Sequence, residues 1–164
     1  MRAAADQGAF LLEQYAWCLA GLEDRHSALE PVPGGKTAGW LVGHLVVTGD
    51  FGRRLCALKP IAPKEWRPLF APGTQPSLDP GTYPPMRAMV EAFRSIYEGL
   101  VADAPGAPAE ALSAPNPYEP ARAGFPTAGS FAAYMITGHL GFHLGQLSVW
   151  RAGAAAADPG FKRR

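Results

Sequence analysis

The stretch His139-Leu140-Gly141-Phe142-His143-Leu144-Gly145-Gln146-Leu147 sets two histidines four residues apart in a run free of proline. On an α-helix, residues four apart stack on one face with β-carbons about 6 Å apart. Both imidazoles can then reach a single ion at about 2.1 Å. Around the pair, Phe131, Met135, Leu140, Phe142, Leu147 and Trp150 crowd the same half of the segment. The spacing predicts a helix from Thr127, or just after it, to about Ala152.

Working outward, proline divides the rest of the chain. Eight of the seventeen prolines lie between Pro60 and Pro85 and six between Pro105 and Pro126. Proline removes a backbone donor and breaks helix interiors, so these stretches are connectors. Three further segments are long enough for helices. One runs from about Ala4 to Leu22, with Leu11, Tyr15, Cys18 and Leu22 at helical spacing. A second runs from Thr37, which suits an N-cap, to about Leu58, with Leu41, His44, Leu45, Thr48, Phe51 and Leu55 on one side. A third runs from near Thr82 to near Asp103, striped by Met86, Val90, Phe93, Tyr97 and Leu100, with Pro84 and Pro85 placed in its first turn. No segment alternates with period two. The expected fold is all-α, a four-helix bundle occupying residues 1–164 as one domain.

His44 lies mid-helix on an apolar side and is the natural third partner for His139 and His143. The alternative is three core histidines hydrogen-bonded to polar groups, but such groups are scarce nearby, and a buried imidazole without a partner is costly. His26, beside Asp24, Arg25 and Ser27, reads as a solvated turn residue. A di-iron carboxylate site needs Glu-x-x-His pairs on its helices, and none of His44, His139 and His143 has a Glu three positions before it.

Composition narrows the function classes. Charged residues make up 18% of the 164 and hydrophobic ones 48%, with a net charge of +1. The only basic cluster, Lys162-Arg163-Arg164, is too small for a nucleic-acid face. No apolar run approaches the roughly 20 residues of a membrane span, and Met1 to Phe10 lacks the apolar core of a signal peptide. The expectation is a cytoplasmic protein that binds neither nucleic acid nor membrane. Cys18 and Cys56 are expected to be core thiols rather than a disulfide.

The order Trp40-Leu41-Val42-Gly43-His44-Leu45, a long gap, then His139-x-x-x-His143-x-x-Gln146-Leu147 resembles the DinB/YfiT-like metalloenzymes. The resemblance implies a four-helix bundle in which one histidine of helix two and the H-x-x-x-H pair of the last helix bind a divalent ion. Carried over, the ligands are His44, His139 and His143, the same three reached from spacing. Members of that family include S-transferases that use low-molecular-weight thiols and a thiol-dependent maleylpyruvate isomerase, and relatives are often dimeric. The implied function is a metal-dependent transferase activating a thiol of the mycothiol or bacillithiol type for attack on a small electrophile. The competing reading is a non-catalytic metal-binding bundle serving stress response or protein interaction. The connectors 59–82 and 104–126 are longer and richer in proline than the family pattern, and connectors of this kind can cover the metal.

Three neutral histidines leave an ion its full charge and an open position, the arrangement of catalytic rather than structural zinc. Such a donor set accepts zinc, nickel, iron or manganese. Gln146, three residues after His143, is the candidate catalytic residue, placed to orient substrate or bound water. Thr48, one turn past His44, could bond a ligand or its own backbone. Asp50 falls on the opposite face and is not counted as a ligand. Trp66 and Phe70 either lid the site or simply pack. Gly138, Gly141 and Gly145 suggest close helix approach, within the bundle or across a homodimer.

Overall fold

A computed structural model describes residues 1–157, 160 and 161; the Lys162-Arg163-Arg164 cluster lies outside the described residues. The chain forms α1 (Arg2–Gln14), α2 (Ala38–Leu55), a short α3 (Arg67–Phe70), α4 (Met86–Asp103), a short α5 (Ala109–Ser113), α6 (Ala128–Tyr134) and α7 (Leu140–Ala157). A π-helical turn, Met135–His139, joins α6 to α7, so these three make the fourth long rod. The described residues contain no strand, only an isolated bridge between Pro115 and Thr127. The architecture is the all-α bundle expected from the apolar periodicity.

The helix ends show local chemistry at work. Thr37 caps α2 by accepting a hydrogen bond from the Trp40 backbone N–H at 3.3 Å. Thr127 caps α6 in a capping box with Ser130. The first turn of α4 is capped from far away in sequence: the Met86 N–H donates to Asp24 Oδ1 at 2.6 Å. Pro84 and Pro85 therefore stand before α4 rather than in its first turn, and Thr82 belongs to a separate 3₁₀ turn, Pro80–Thr82. α1 ends at Gln14 instead of Leu22, because the chain tightens into a 3₁₀ turn, Ala16–Leu19, that buries Cys18 and Leu19. α7 runs on to Ala157, since the alanines after Ala152 are strong helix formers.

The helix α2 lies at the centre, packed most extensively on α4 and also on α3, α6 and α7. This explains why fifteen of its eighteen residues are buried. Where α2 crosses α4, a Cβ at Gly49 would come within 2.6 Å of the Tyr97 ring, so glycine sets the approach distance. Three glycines of the last rod do less. A Cβ at Gly145 would meet nothing, one at Gly141 only the tip of Leu11, and one at Gly138 only Tyr134 of its own rod. Phe142 is not part of the buried half of α7 but 61% exposed. Both cysteines are buried and unlinked, and burial pushes each thiol up to about 11. No helix among the described residues is long and apolar enough to cross a membrane.

His26 departs from its expected solvated state. It is 2% exposed. It closes a 3₁₀ turn, where Nδ1 accepts a hydrogen bond from the Glu23 N–H at 2.9 Å. Its ring packs 4.4 Å from Phe161 and edge-on to Trp150. Polar neighbours in sequence hid this, because the aromatic partners come from the other end of the chain.

Candidate metal centre

The structure brings His44 of α2 together with His139 and His143 of the last rod. Ring centroids are 4.5 Å apart for His139 and His143, 4.7 Å for His44 and His143, and 5.3 Å for His44 and His139. One nitrogen from each lies within 4.8 Å of the other two. Ligands at about 2.1 Å from one tetrahedral ion lie about 3.4 Å from one another, so nitrogens within 4.8 Å close by at most about 1.4 Å to share an ion.

Each imidazole is held differently. His44 Nδ1 donates to the Phe70 carbonyl at 2.7 Å, and its ring stacks on Trp40 with centroids 4.5 Å apart. His143 Nδ1 donates to Gln146 Oε1 at 2.7 Å. In both, the proton on Nδ1 leaves the Nε2 lone pair free for a ligand, the usual outer-shell arrangement of metal-binding histidines. His139 has the opposite character: its Nδ1 is buried and has no hydrogen-bond partner. A buried polar atom left unpaired costs free energy, and the three imidazoles offer a cation one nitrogen each within 4.8 Å of the other two. The donor set therefore fits a divalent ion.

Electrostatics agree with that fit. Burial, then the neighbouring His143 and His44, push His139 down to about 3. Burial and His44 push His143 down to about 4, against the opposing Gln146 hydrogen bond. Burial also lowers His44. All three are neutral near pH 7, the form that binds metal.

The elements that position these groups have local causes. Gly43 makes room for Phe70, because a Cβ there would overlap the Phe70 ring. That close approach lets the short α3 bring its last carbonyl to His44. Phe70 is fully buried and Trp66 nearly so, which makes them packed walls rather than a lid. The π-helical turn carries His139 itself. Such turns insert a residue into a helix and are frequent at functional sites. Here the turn lets α6 bury Phe131 and Ala132 while His139 still sits one turn from His143.

The remaining candidates resolve as follows. Thr48 Oγ1 donates to the His44 carbonyl at 2.6 Å, the backbone bond rather than a ligand bond. Asp50 faces away and accepts from the Ile61 and Ala62 N–H groups at 2.6 and 3.0 Å, fixing the connector after α2. Gln146 faces His143. The Phe70 carbonyl is the site group that sequence reasoning missed, because a backbone oxygen carries no residue signature; Gly43 beside His44 was the available hint.

Beside the cluster lies a cavity of about 400 Å³ that His44 and His139 help to line. Around it stand Phe51, Phe125, Phe131, Tyr118 and Tyr134, with Arg54 and Arg67. An imidazole cluster opening on a mostly apolar cavity defines a helical bundle with a candidate metal site and room for a small molecule. The family model of the DinB superfamily matches residues 11–147, and the chain belongs to that superfamily. No curated protein and no solved structure matches it significantly. Superfamily membership and the three-histidine cluster together support metal binding at this site.

Proposed function

We propose that the protein is a metal-dependent transferase in which His44, His139 and His143 hold a divalent ion that activates a low-molecular-weight thiol toward a small electrophile. The observation that carries this reading is the pairing of an all-imidazole cluster with a cavity of about 400 Å³ opening directly on two of its members. A purely structural site would be closed by a fourth protein ligand. When bound, the ion supplies Lewis acidity that lowers the pKa of a coordinated thiol or water into the physiological range.

The chain's own residues do the rest. The Phe70 carbonyl and Gln146 Oε1 keep the Nδ1 protons of His44 and His143 in place, so both rings present Nε2. Trp40 fixes the plane of His44 by stacking. Gln146, expected to act on substrate, has its side-chain oxygen on His143, and its proposed role is positioning. The apolar wall keeps water from competing for the cavity. Zinc or nickel suits this donor set best, with iron or manganese next, and the cytoplasm is the proposed location.

The test uses zinc-loaded protein, mycothiol or bacillithiol as the thiol, and monochlorobimane as the electrophile. The sulfur displaces chloride to form a fluorescent thioether. Turnover that disappears in His44→Ala/His143→Ala supports the reading. A fully metal-loaded protein with no activity toward either thiol leaves a non-catalytic metal-binding bundle.

A further inference from the structure

The cavity next to the cluster is chemically uneven, and the unevenness specifies a ligand. Aromatic rings follow one another along its wall. The Arg54 guanidinium lies 5.2 Å over the Phe51 ring. Phe51 packs on Phe131 at 6.1 Å, Phe131 on Tyr134 at 6.0 Å, and Tyr134 on His139 at 6.0 Å. Phe131 and Tyr118 are stacked almost parallel, at 6°. An aromatic-lined wall of this kind suits a flat, apolar body, which gains ring contacts in addition to burial.

Among the described residues, the charged ones lining this cavity are Arg54 and Arg67. Both side chains are exposed, and neither has an ion-pair partner among the described residues. Asp50 shares an adjoining groove with them, and its Oδ1 already accepts two backbone N–H groups. Two unpaired guanidiniums at one cavity are a planar fork for a carboxylate. Ring faces carry the negative end of the aromatic quadrupole, so an anion is disfavoured anywhere else along this wall. His44 and Arg54 stand ten residues apart on α2, about 15 Å along the helix axis. A ligand anchored at the arginines thus extends toward the histidines.

We infer that this cavity binds planar, apolar carboxylates, with the carboxylate at Arg54 and Arg67 and the opposite end of the molecule directed at the histidine cluster. The inference rests on the metal-centre reading only for which end of the ligand reacts. In that reading the carboxylate belongs to the electrophile, and the arginines select conjugated or aromatic acids over their neutral counterparts.

The experiment is isothermal titration calorimetry with trans-cinnamate and its uncharged near-isostere cinnamamide. Wild type, Arg54→Gln/Arg67→Gln and Tyr118→Leu are each titrated metal-free and zinc-loaded, with zinc content measured on the same samples and folding checked by circular dichroism. Cinnamate binds at least tenfold more tightly than cinnamamide to wild type, with or without zinc. The double arginine variant loses that preference while keeping its cinnamamide affinity, and Tyr118→Leu weakens both ligands. The inference is overturned if neither ligand binds, if the two bind equally, or if the preference survives loss of both arginines. It is also overturned if cinnamate binds only with zinc and ignores the arginines, because the carboxylate then sits on the metal. A protein that takes up no zinc but still binds cinnamate through the arginines would defeat the metal-centre reading and leave this one standing.

Discussion

The chain buries histidine in two kinds of place. His26 sits in the connector before α2, its Nδ1 paired with a backbone N–H and its ring between Phe161 and Trp150. His44, His139 and His143 sit at the centre of the bundle with their rings turned toward one another. His26 completes a turn, and its partners come from backbone and core. The central three bring one nitrogen each within 4.8 Å of the other two. Burial alone therefore says little about a histidine. What separates a packing residue from a candidate ligand is whether its ring nitrogens converge with those of other ligating side chains.

The largest effects should come from substitutions that set the two places against each other. His44→Ala/His143→Ala should abolish metal binding, whereas His26→Ala should keep full metal content but lower stability by about 2 kcal/mol, through a lost cap and a cavity. Metal titration and denaturant melts measure both. If His26→Ala lost the metal while remaining folded, the distinction would fail.

Gly43→Ala comes next, because the added methyl must push Phe70 aside. Overpacking should cost about 1–3 kcal/mol, and displacing the Phe70 carbonyl from His44 should weaken metal affinity by about tenfold. Gln146→Leu separates the two consequences. It should also weaken the metal by about tenfold while costing the metal-free protein about 1 kcal/mol through one unpaired imidazole N–H, with no overpacking. An unchanged metal Kd in Gln146→Leu would assign the residue to substrate rather than to His143.

A further effect is in pH. The central histidines have native values below the ordinary 6.5, with His139 at about 3 and His143 at about 4. As pH falls below 6.5 the unfolded chain takes up these protons first, so the metal-free protein loses stability between pH 6.5 and about 3. Thermal melts across that range should show a fall that is smaller in His44→Ala/His143→Ala. Equal falls in both proteins would place the acid sensitivity elsewhere.

Much of this was legible from residue spacing. Apolar periodicity and proline placement marked the four long helices, and an i, i+4 histidine pair with a mid-helix histidine marked the cluster. Other features were not, for identifiable reasons. The π-helical turn at Met135–His139 changes backbone register without a distinctive composition. The cap on α4 comes from Asp24, sixty-two residues away. The short α3 and α5 lie in proline-rich connectors where local propensity argues against helix. The burial of His26 depends on Phe161 and Trp150, and local polarity pointed the other way.

The most direct test of the metal centre is elemental analysis of tag-free protein purified without added metal, beside His44→Ala/His143→Ala. The cluster predicts about one divalent ion per chain in the wild type and none in the variant. A wild type that contains no metal and takes up none after dialysis against zinc or nickel would contradict it, leaving three core histidines in a helical bundle.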